Sequence, residues 1–169
     1  MRRKLIALMF CLAGAARAAD SPTPLNEDMA SFLAGHWSGA GAFGNGKKIE
    51  ADVDFQRELD GQLLLYRHTD KAPNNYKALG TWSVDKASGK LVMNVSDNFG
   101  GTRRFESEGW LADIVAFNKV GIPVAAGNRQ ERFTFQRKSP NSFRMSYEWS
   151  ADGKNWKLGD FIDFERKLP

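Results

Sequence analysis

The sequence predicts an all-β protein, with about ten antiparallel strands in up-and-down order that close into a barrel after a short N-terminal helix. From His36 onward, apolar and polar residues alternate with the period of two that is typical of half-buried strands. Turn-forming residues recur about every 8 to 14 positions, as hairpin connections require. No helical segment separates successive strands, which excludes parallel βαβ units. A long meander with one polar face buries its apolar face and loses its free edges when it closes into a barrel.

The predicted helix follows Asn26 and stops at Gly35. Asn26 can accept a hydrogen bond from the first helical turn, and Glu27 and Asp28 lie at the positive end of the helix dipole. The apolar residues of 29–33 share one face, and Gly35 is a typical helix terminator. We therefore expect a helix of about two turns.

The strands are predicted from alternation and from the turns between them. In Lys47–Leu59, apolar residues occupy every second position from Ile49 to Phe55, and Asp60-Gly61 is a hairpin turn. The first strand begins at His36. The later strands are expected at Gln62–Asp70, Tyr76–Val84, Leu91–Ser96, Thr102–Ser107, Trp110–Phe117, Arg129–Lys138, Phe143–Ser150 and Trp156–Lys167.

Residues 1–18 have the pattern of a secretory signal peptide. Three basic residues, Arg2 to Lys4, precede an apolar run from Leu5 to Ala16, and Ala16-Arg17-Ala18 supplies the small residues that a signal peptidase reads. We expect cleavage before Ala19 and a periplasmic or secreted protein. The apolar run is too short to serve as a stable membrane anchor.

A lipoprotein signal ending at Cys11 is the alternative for this segment. The preceding Leu8-Met9-Phe10 argues against it, because a lipoprotein motif has a small residue next to the cysteine. Residues 19–25 are polar and contain proline, so we expect a flexible leader. Residues 26–169 are expected to form a single barrel domain, since about 150 residues suffice for one sizeable core.

The charge balance disfavours a nucleic-acid-binding protein. The chain has 24 Lys and Arg against 20 Asp and Glu, but four of the basic residues lie within residues 1–18. Without that segment, 20 basic residues face 20 acidic ones, whereas nucleic-acid binding needs a positive surplus. Cys11 is the only cysteine, so the mature chain is predicted to have neither a disulfide nor thiol chemistry.

Gly35-His36-Trp37, which follows the short helix, resembles the Gly-x-Trp motif that opens the first strand in the calycin superfamily of lipocalins, fatty-acid-binding proteins and nitrobindin-like barrels. The resemblance implies that Gly35 and Trp37 are structural and that Trp37 plugs the closed end. It also implies that a late-strand arginine, Arg166 or Arg137, packs over the indole ring.

Three further segments resemble a secreted bacterial lipocalin-like family of unknown function. They are Ser107–Trp110, Arg129–Phe135 and the turn Ser150–Trp156, which carries Ser-x-Asp-Gly followed by tryptophan. This resemblance implies the lipocalin-like barrel fold and carries no established activity.

Several catalytic and cofactor sites are disfavoured, so no catalytic residue, metal ligand or cofactor is predicted. Gly39–Gly44 fits the spacing of a dinucleotide motif, but it lies inside a strand without the helix that would bind the pyrophosphate. No Gly-x-Ser-x-Gly motif occurs. Asp113, Glu131, Asp160 and Asp163 could form a carboxylate pair only if the barrel brought them together.

Histidine is scarce, which bears on metal and haem binding. The chain has only His36 and His68, and zinc or non-haem iron sites usually require more nitrogen or sulfur ligands. Nitrobindin-like barrels bind haem through a histidine on a late strand, and the late strands here contain none. His68 is the only conceivable substitute, and we interpret it as a histidine at the barrel rim.

A barrel of ten strands is wide enough to leave an interior cavity. The residues predicted to face the ligand there are Arg57, Leu65, Trp82, Met93, Phe133, Phe135, Arg137, Met145, Tyr147 and Trp149. An inward arginine requires an anionic partner, and a ligand carboxylate held with help from Tyr147 would supply one. In the alternative, Arg57 and Arg137 lie at strand ends and reach solvent or Asp160.

Three functional hypotheses follow from this barrel. The first is a non-catalytic carrier or sensor of a small apolar or amphipathic molecule. The second is an envelope protein with a filled barrel that binds an unidentified protein partner, in which Val120–Ala126 forms the contact; in the first hypothesis the same segment is a lid. The third is an enzyme of unknown chemistry. A cavity of several hundred cubic ångströms favours the first, and convergent titratable groups within it favour the third.

Overall fold

The computed structural model describes residues 23–121 and 129–167. Within these ranges the chain forms one α-helix and ten strands, and the strands close into an antiparallel up-and-down barrel in which β1 pairs with β10. This confirms the predicted fold class. The elements are α1 Glu27–Leu33, β1 Gly35–Phe43, β2 Lys48–Glu58, β3 Leu63–Asp70, β4 Lys77–Val84, β5 Leu91–Asp97, β6 Thr102–Ser107, β7 Ile114–Lys119, β8 Gln130–Ser139, β9 Ser142–Ser150 and β10 Lys157–Arg166.

Helix α1 covers one end of the barrel. The Asn26 side chain accepts a hydrogen bond from the Met29 amide at 2.9 Å, as the sequence predicts for an N-cap. Met29, Phe32 and Leu33 are buried against the ends of the strands. No helix in the described residues is long and apolar enough to cross a membrane.

The seam between β1 and β10 depends on two glycines. Gly39 and Gly41 pair with Phe164 and Ile162 across the seam. A Cβ atom at Gly41 would collide with the Phe161 carbonyl oxygen, and one at Gly39 would lie 2.6 Å from the Phe164 ring. Glycine therefore allows β10 to approach β1 closely enough to close the barrel.

Strand β7 begins later than the sequence predicts. A strand from Trp110 was expected, but β7 starts at Ile114, because Ala112 and Asp113 form a tight turn with φ of 49° and 65°. Trp110 instead packs against Phe32 of α1, with 6.1 Å between ring centroids.

The two halves of the barrel differ in how they are filled. Large aromatic side chains occupy the half beneath α1, including Trp37, Phe55, Trp82, Phe117 and Phe143, and we call this the closed end. The turns 44–47, 71–76 and 98–101 surround the opposite end, which we call the open end.

Candidate functional site: a cavity at the open end

A cavity of about 410 Å³ occupies the open half of the barrel. Its volume lies within the range of small-molecule sites. The lining residues are Phe43, Lys47, Ile49, Tyr66, His68, Asp70, Pro73, Asn74, Asn75, Tyr76, Met93, Val95, Phe99, Arg103, Phe133, Phe135, Met145, Tyr147, Asp160 and Ile162.

Half of the predicted ligand-facing residues lie on the cavity wall. These are Met93, Phe133, Phe135, Met145 and Tyr147, which come from β5, β8 and β9. Strand alternation places them inward, and their apolar surfaces form one side of the cavity. Ligand contact by these five residues remains a prediction.

The other apolar candidates lie elsewhere. Leu65 faces outward, because its neighbours Leu64 and Tyr66 are the inward residues of β3. Trp82 is fully buried in the filled half and does not reach the cavity. Trp149 lies outside the cavity, with the Arg129 guanidinium 4.2 Å from its ring.

Arg57 and Arg137 do not line the cavity, and the alternative that they lie at strand ends fits their positions. Both lie at the strand ends of the closed end, where they bind the acidic residues of α1. Arg57 donates two hydrogen bonds of 2.7 Å to Glu27, and Arg137 donates one of 2.8 Å to Asp28. These hydrogen bonds lower the pKa of Glu27 to about 2 and also lower that of Asp28. The two arginines therefore fasten the helix to the barrel.

Trp37 and Arg166 form the plug of the closed end. The Trp37 indole donates to the Leu33 carbonyl at 2.8 Å, and its ring meets Phe143 edge-on at 4.9 Å. The Arg166 guanidinium lies 4.1 Å from the Trp37 ring and donates to the Ala34 carbonyl at 2.8 Å. Of the two arginines suggested by the resemblance, Arg166 is thus the one that packs over this ring.

Gly35 is required by backbone conformation at the same place. Its φ is 116°, a value that residues with a Cβ atom rarely adopt. A Cβ atom there would also lie 3.2 Å from the Arg166 guanidinium.

A buried chain of hydrogen bonds runs along β3 into the cavity. The Tyr66 hydroxyl lies 2.9 Å from Nδ1 of His68, and Nε2 of His68 lies 2.7 Å from an Asp70 carboxylate oxygen. His68 lies near the open-end terminus of β3, as the sequence predicts, but it is only 4% exposed and faces the cavity. Burial raises the pKa of Tyr66 well above its ordinary value, which keeps its hydroxyl protonated at neutral pH.

A second polar network surrounds Arg103 of β6, a cavity residue that the sequence analysis did not select. Its guanidinium donates to Glu131 at 3.0 Å, to Asp97 at 3.1 Å and to the Tyr76 hydroxyl at 3.2 Å. Lys119 binds the other Glu131 carboxylate oxygen at 2.5 Å. Protein carboxylates therefore neutralise Arg103, the one arginine that lines the cavity among the described residues. Arg103 lies two residues before Phe105 in β6, so both side chains point to the same face of the strand, and this alternation could have predicted that Arg103 faces the interior.

Asp160 of β10 is the cavity carboxyl without a hydrogen-bond partner in the described residues. The register of β10 against β9 shifts between Leu158 and Asp160, and Asp160 stands opposite Tyr147. On its other side it stands opposite Phe43 of β1. Burial, and secondarily the charge of Asp70, raise its pKa from 3.8 to about 7.

The other carboxylates proposed for a pair lie apart from Asp160. Asp163 binds Arg144 outside the cavity at 2.6 Å, and Asp113 lies 3.4 Å from Arg137 at the closed end. Glu131 is buried but is bound by Arg103 and Lys119.

Within residues 23–121 and 129–167, neither histidine is placed to bind haem iron or a metal ion. Both ring nitrogens of His68 are already hydrogen-bonded, so this histidine has no free nitrogen for haem iron. His36 is exposed and lies 3.5 Å from Asp54. Residues 23–121 and 129–167 contain no group of three His, Cys, Asp or Glu that could hold a metal ion.

Solved structures with a similar barrel support the fold alone. Rv2717c from M. tuberculosis matches with a TM-score of 0.59 and 15% identity, over 85% of this chain and 99% of that one. A DUF3598-family protein of unknown function from Nostoc punctiforme matches with a TM-score of 0.55 and 11% identity, over 88% of this chain and 53% of that one. A de novo designed fluorescence-activating β-barrel matches less well, with a TM-score of 0.45, 15% identity, and coverage of 83% and 98%. No protein-family model and no curated protein sequence matches this chain.

Proposed function

We propose that this protein is a secreted, lipocalin-like carrier that binds one small apolar or amphipathic molecule in its open-end cavity and does not transform it. The observation that carries the proposal is the cavity of about 410 Å³ in a barrel whose other half is filled by aromatic side chains. A barrel that served only as a scaffold for its loops would gain stability from filling this space too. The N-terminal signal pattern supports export to the periplasm or beyond.

The hollow half weighs against the filled-barrel interaction module. That hypothesis assigned the partner contact to Val120–Ala126, and residues 122–126 of this segment lie outside the described residues. The lid assigned to the same segment therefore stays a prediction.

Titratable groups in the cavity favour an acid–base enzyme as the second candidate. Tyr66, His68, Asp70 and Asp160 all line the cavity. However, both His68 ring nitrogens are occupied by protein groups, so His68 cannot exchange a proton directly with a substrate. Binding without catalysis requires only the cavity, and it is the function that we propose.

A cavity-blocking variant tests the proposal. Val95 is buried and lines the cavity, whereas Leu79 on the neighbouring strand is 46% exposed on the outer face. We expect wild-type protein and the control Leu79→Trp to bind the neutral fluorescent probe N-phenyl-1-naphthylamine with 1:1 stoichiometry. We expect Val95→Trp to weaken binding at least about tenfold, because the indole occupies the probe's space.

The fluorescence titration should excite the probe where tryptophan does not absorb, and circular dichroism should establish that both variants are folded. A folded Val95→Trp that binds the probe like wild type would place binding outside the cavity. If wild type binds neither this probe nor any of the three naphthalene probes used below, the proposal is contradicted as well.

A further inference from the structure

The charged groups that line the cavity are paired with protein partners, apart from Asp160 inside it and Lys47 at its rim. Arg103 is shared between Asp97 and Glu131, and His68 binds Asp70. Asp160 forms no ion pair or hydrogen bond with the described residues. The Lys47 side chain is exposed, and its ammonium lies 5.8 Å from the Phe43 ring centroid.

A buried carboxyl without a partner carries a desolvation cost. Asp160 is half-buried on the cavity wall, and the nearby Asp70 carboxylate adds repulsion to the desolvation cost. A ligand that brings a positive charge relieves both effects, whereas a ligand carboxylate increases them. Asp97 and Glu131 neutralise the charge of Arg103, although its Nε lacks a hydrogen-bond partner, and Lys47 is exposed at the rim. The described cavity wall therefore offers a carboxylate ligand no unpaired buried positive charge.

Aromatic rings frame the same carboxyl. Phe43 on β1 and Tyr147 on β9 stand directly opposite Asp160 on its two neighbouring strands, and all three residues line the cavity. Phe133 packs against Tyr147 with 5.0 Å between ring centroids. Aromatic faces attract organic cations, and the attraction grows as water is excluded.

From this arrangement we infer that the cavity takes an organic cation, namely a protonated amine on an apolar body, with its ammonium group at Asp160 between Phe43 and Tyr147. This inference rests on the proposed ligand-binding function and specifies the ligand class. The apolar body lies against Met93, Val95 and Phe135.

Three probes with the same ring system test the inference at about pH 8. They are 1-naphthylmethylamine, which is cationic, 1-naphthylmethanol, which is neutral, and 1-naphthoate, which is anionic. By isothermal titration calorimetry, we expect wild-type protein to bind the amine at least about tenfold more tightly than the alcohol, which corresponds to about 1.4 kcal/mol. The carboxylate should bind most weakly.

Two matched variants of β10 test whether Asp160 causes the preference for the amine over the alcohol. Asp160→Asn should bring the affinities for the amine and the alcohol to within about threefold, with the affinity for the alcohol unchanged. Asp163→Asn makes the same substitution on a residue that binds Arg144 outside the cavity, and it should keep the wild-type ratio.

The outcomes separate the two proposals. If wild type binds the alcohol as tightly as the amine, or if Asp160→Asn keeps the wild-type ratio, the ligand class is overturned while the binding function stands. If wild type binds none of the three probes or N-phenyl-1-naphthylamine, the binding function is overturned as well.

Discussion

At the scale of single residues, packing and hydrogen-bond partners determine which side chains face the barrel interior, and polarity alone does not. Leu63, Leu64 and Leu65 are all apolar, so their sequence does not show which of them faces the core. His68 and Asp70 look like outer residues, yet both are buried, because each satisfies the other. Alternation therefore predicts the apolar wall, and the hydrogen-bonded residues become visible only in three dimensions.

The ionisation of Asp160 predicts how the stability of the protein depends on pH. Its pKa is about 7 in the folded protein and near 3.8 when the chain is unfolded. The folded state thus holds an extra proton between these values, and its stability falls as pH rises through that window. Between about pH 5 and pH 8 the contribution is about 2 to 3 kcal/mol. In Asp160→Asn, the free energy of unfolding should therefore fall less between these pH values, by the contribution of Asp160.

Urea titrations at about pH 5 and pH 8 measure the free energy of unfolding of each variant. The control Asp163→Asn should lose as much stability between these pH values as wild type does. Equal pH dependence in wild type and Asp160→Asn would contradict the assigned burial of this carboxyl. The other titratable or charged groups that line the cavity are Lys47, Tyr66, His68, Asp70, Tyr76, Arg103 and Tyr147.

Trp37 gives the second prediction at this scale. Its side chain is fully buried, and Trp37→Ala should lower the free energy of unfolding by about 3 to 5 kcal/mol through the cavity that it leaves. Leu111→Ala at the same end should change stability by less than about 0.5 kcal/mol, because Leu111 is 68% exposed. A loss below about 1 kcal/mol for Trp37→Ala in a urea titration would refute its role as the plug.

At the scale of elements, the barrel depends on close contact at the β1–β10 seam. Gly41→Ala should cost about 2 kcal/mol or more, because the new methyl group meets the Phe161 backbone and the strands must separate. Ala40→Ser adds an atom on the exposed outer face of the same strand and should be nearly neutral. Similar urea midpoints for the two variants would show that the seam tolerates the added volume.

Most element boundaries follow from the sequence, and the exceptions have local causes. Asn26 and the alternation in β2 lead directly to the observed α1 and β2. The start of β7 does not, because Ala112 and Asp113 adopt left-handed conformations that glycine or asparagine usually signals. The shift before Asp160 is equally hidden, since Gly159 alone does not identify a bulge.

At the scale of the whole molecule, the number of strands and the closure of the barrel can be predicted from the sequence. How completely side chains fill each end of the barrel cannot. The sequence contains 12 Phe, 5 Trp and 3 Tyr, and nothing in their order shows that they divide unevenly between the two ends. Their concentration beneath α1 depends on register, which places Trp37, Phe55 and Phe143 at one end. The aromatic and polar side chains of the open half line its wall and leave the centre empty, and this difference between the two halves makes the cavity.

Native mass spectrometry of the protein purified from its own source tests the central claim most directly, namely that the open half of the barrel holds one small molecule. The account predicts a 1:1 adduct, or a 1:1 complex once excess 1-naphthylmethylamine is added, and loss of both in Val95→Trp. A wild-type protein that is detected only at its bare mass, with and without the added amine, would contradict the claim.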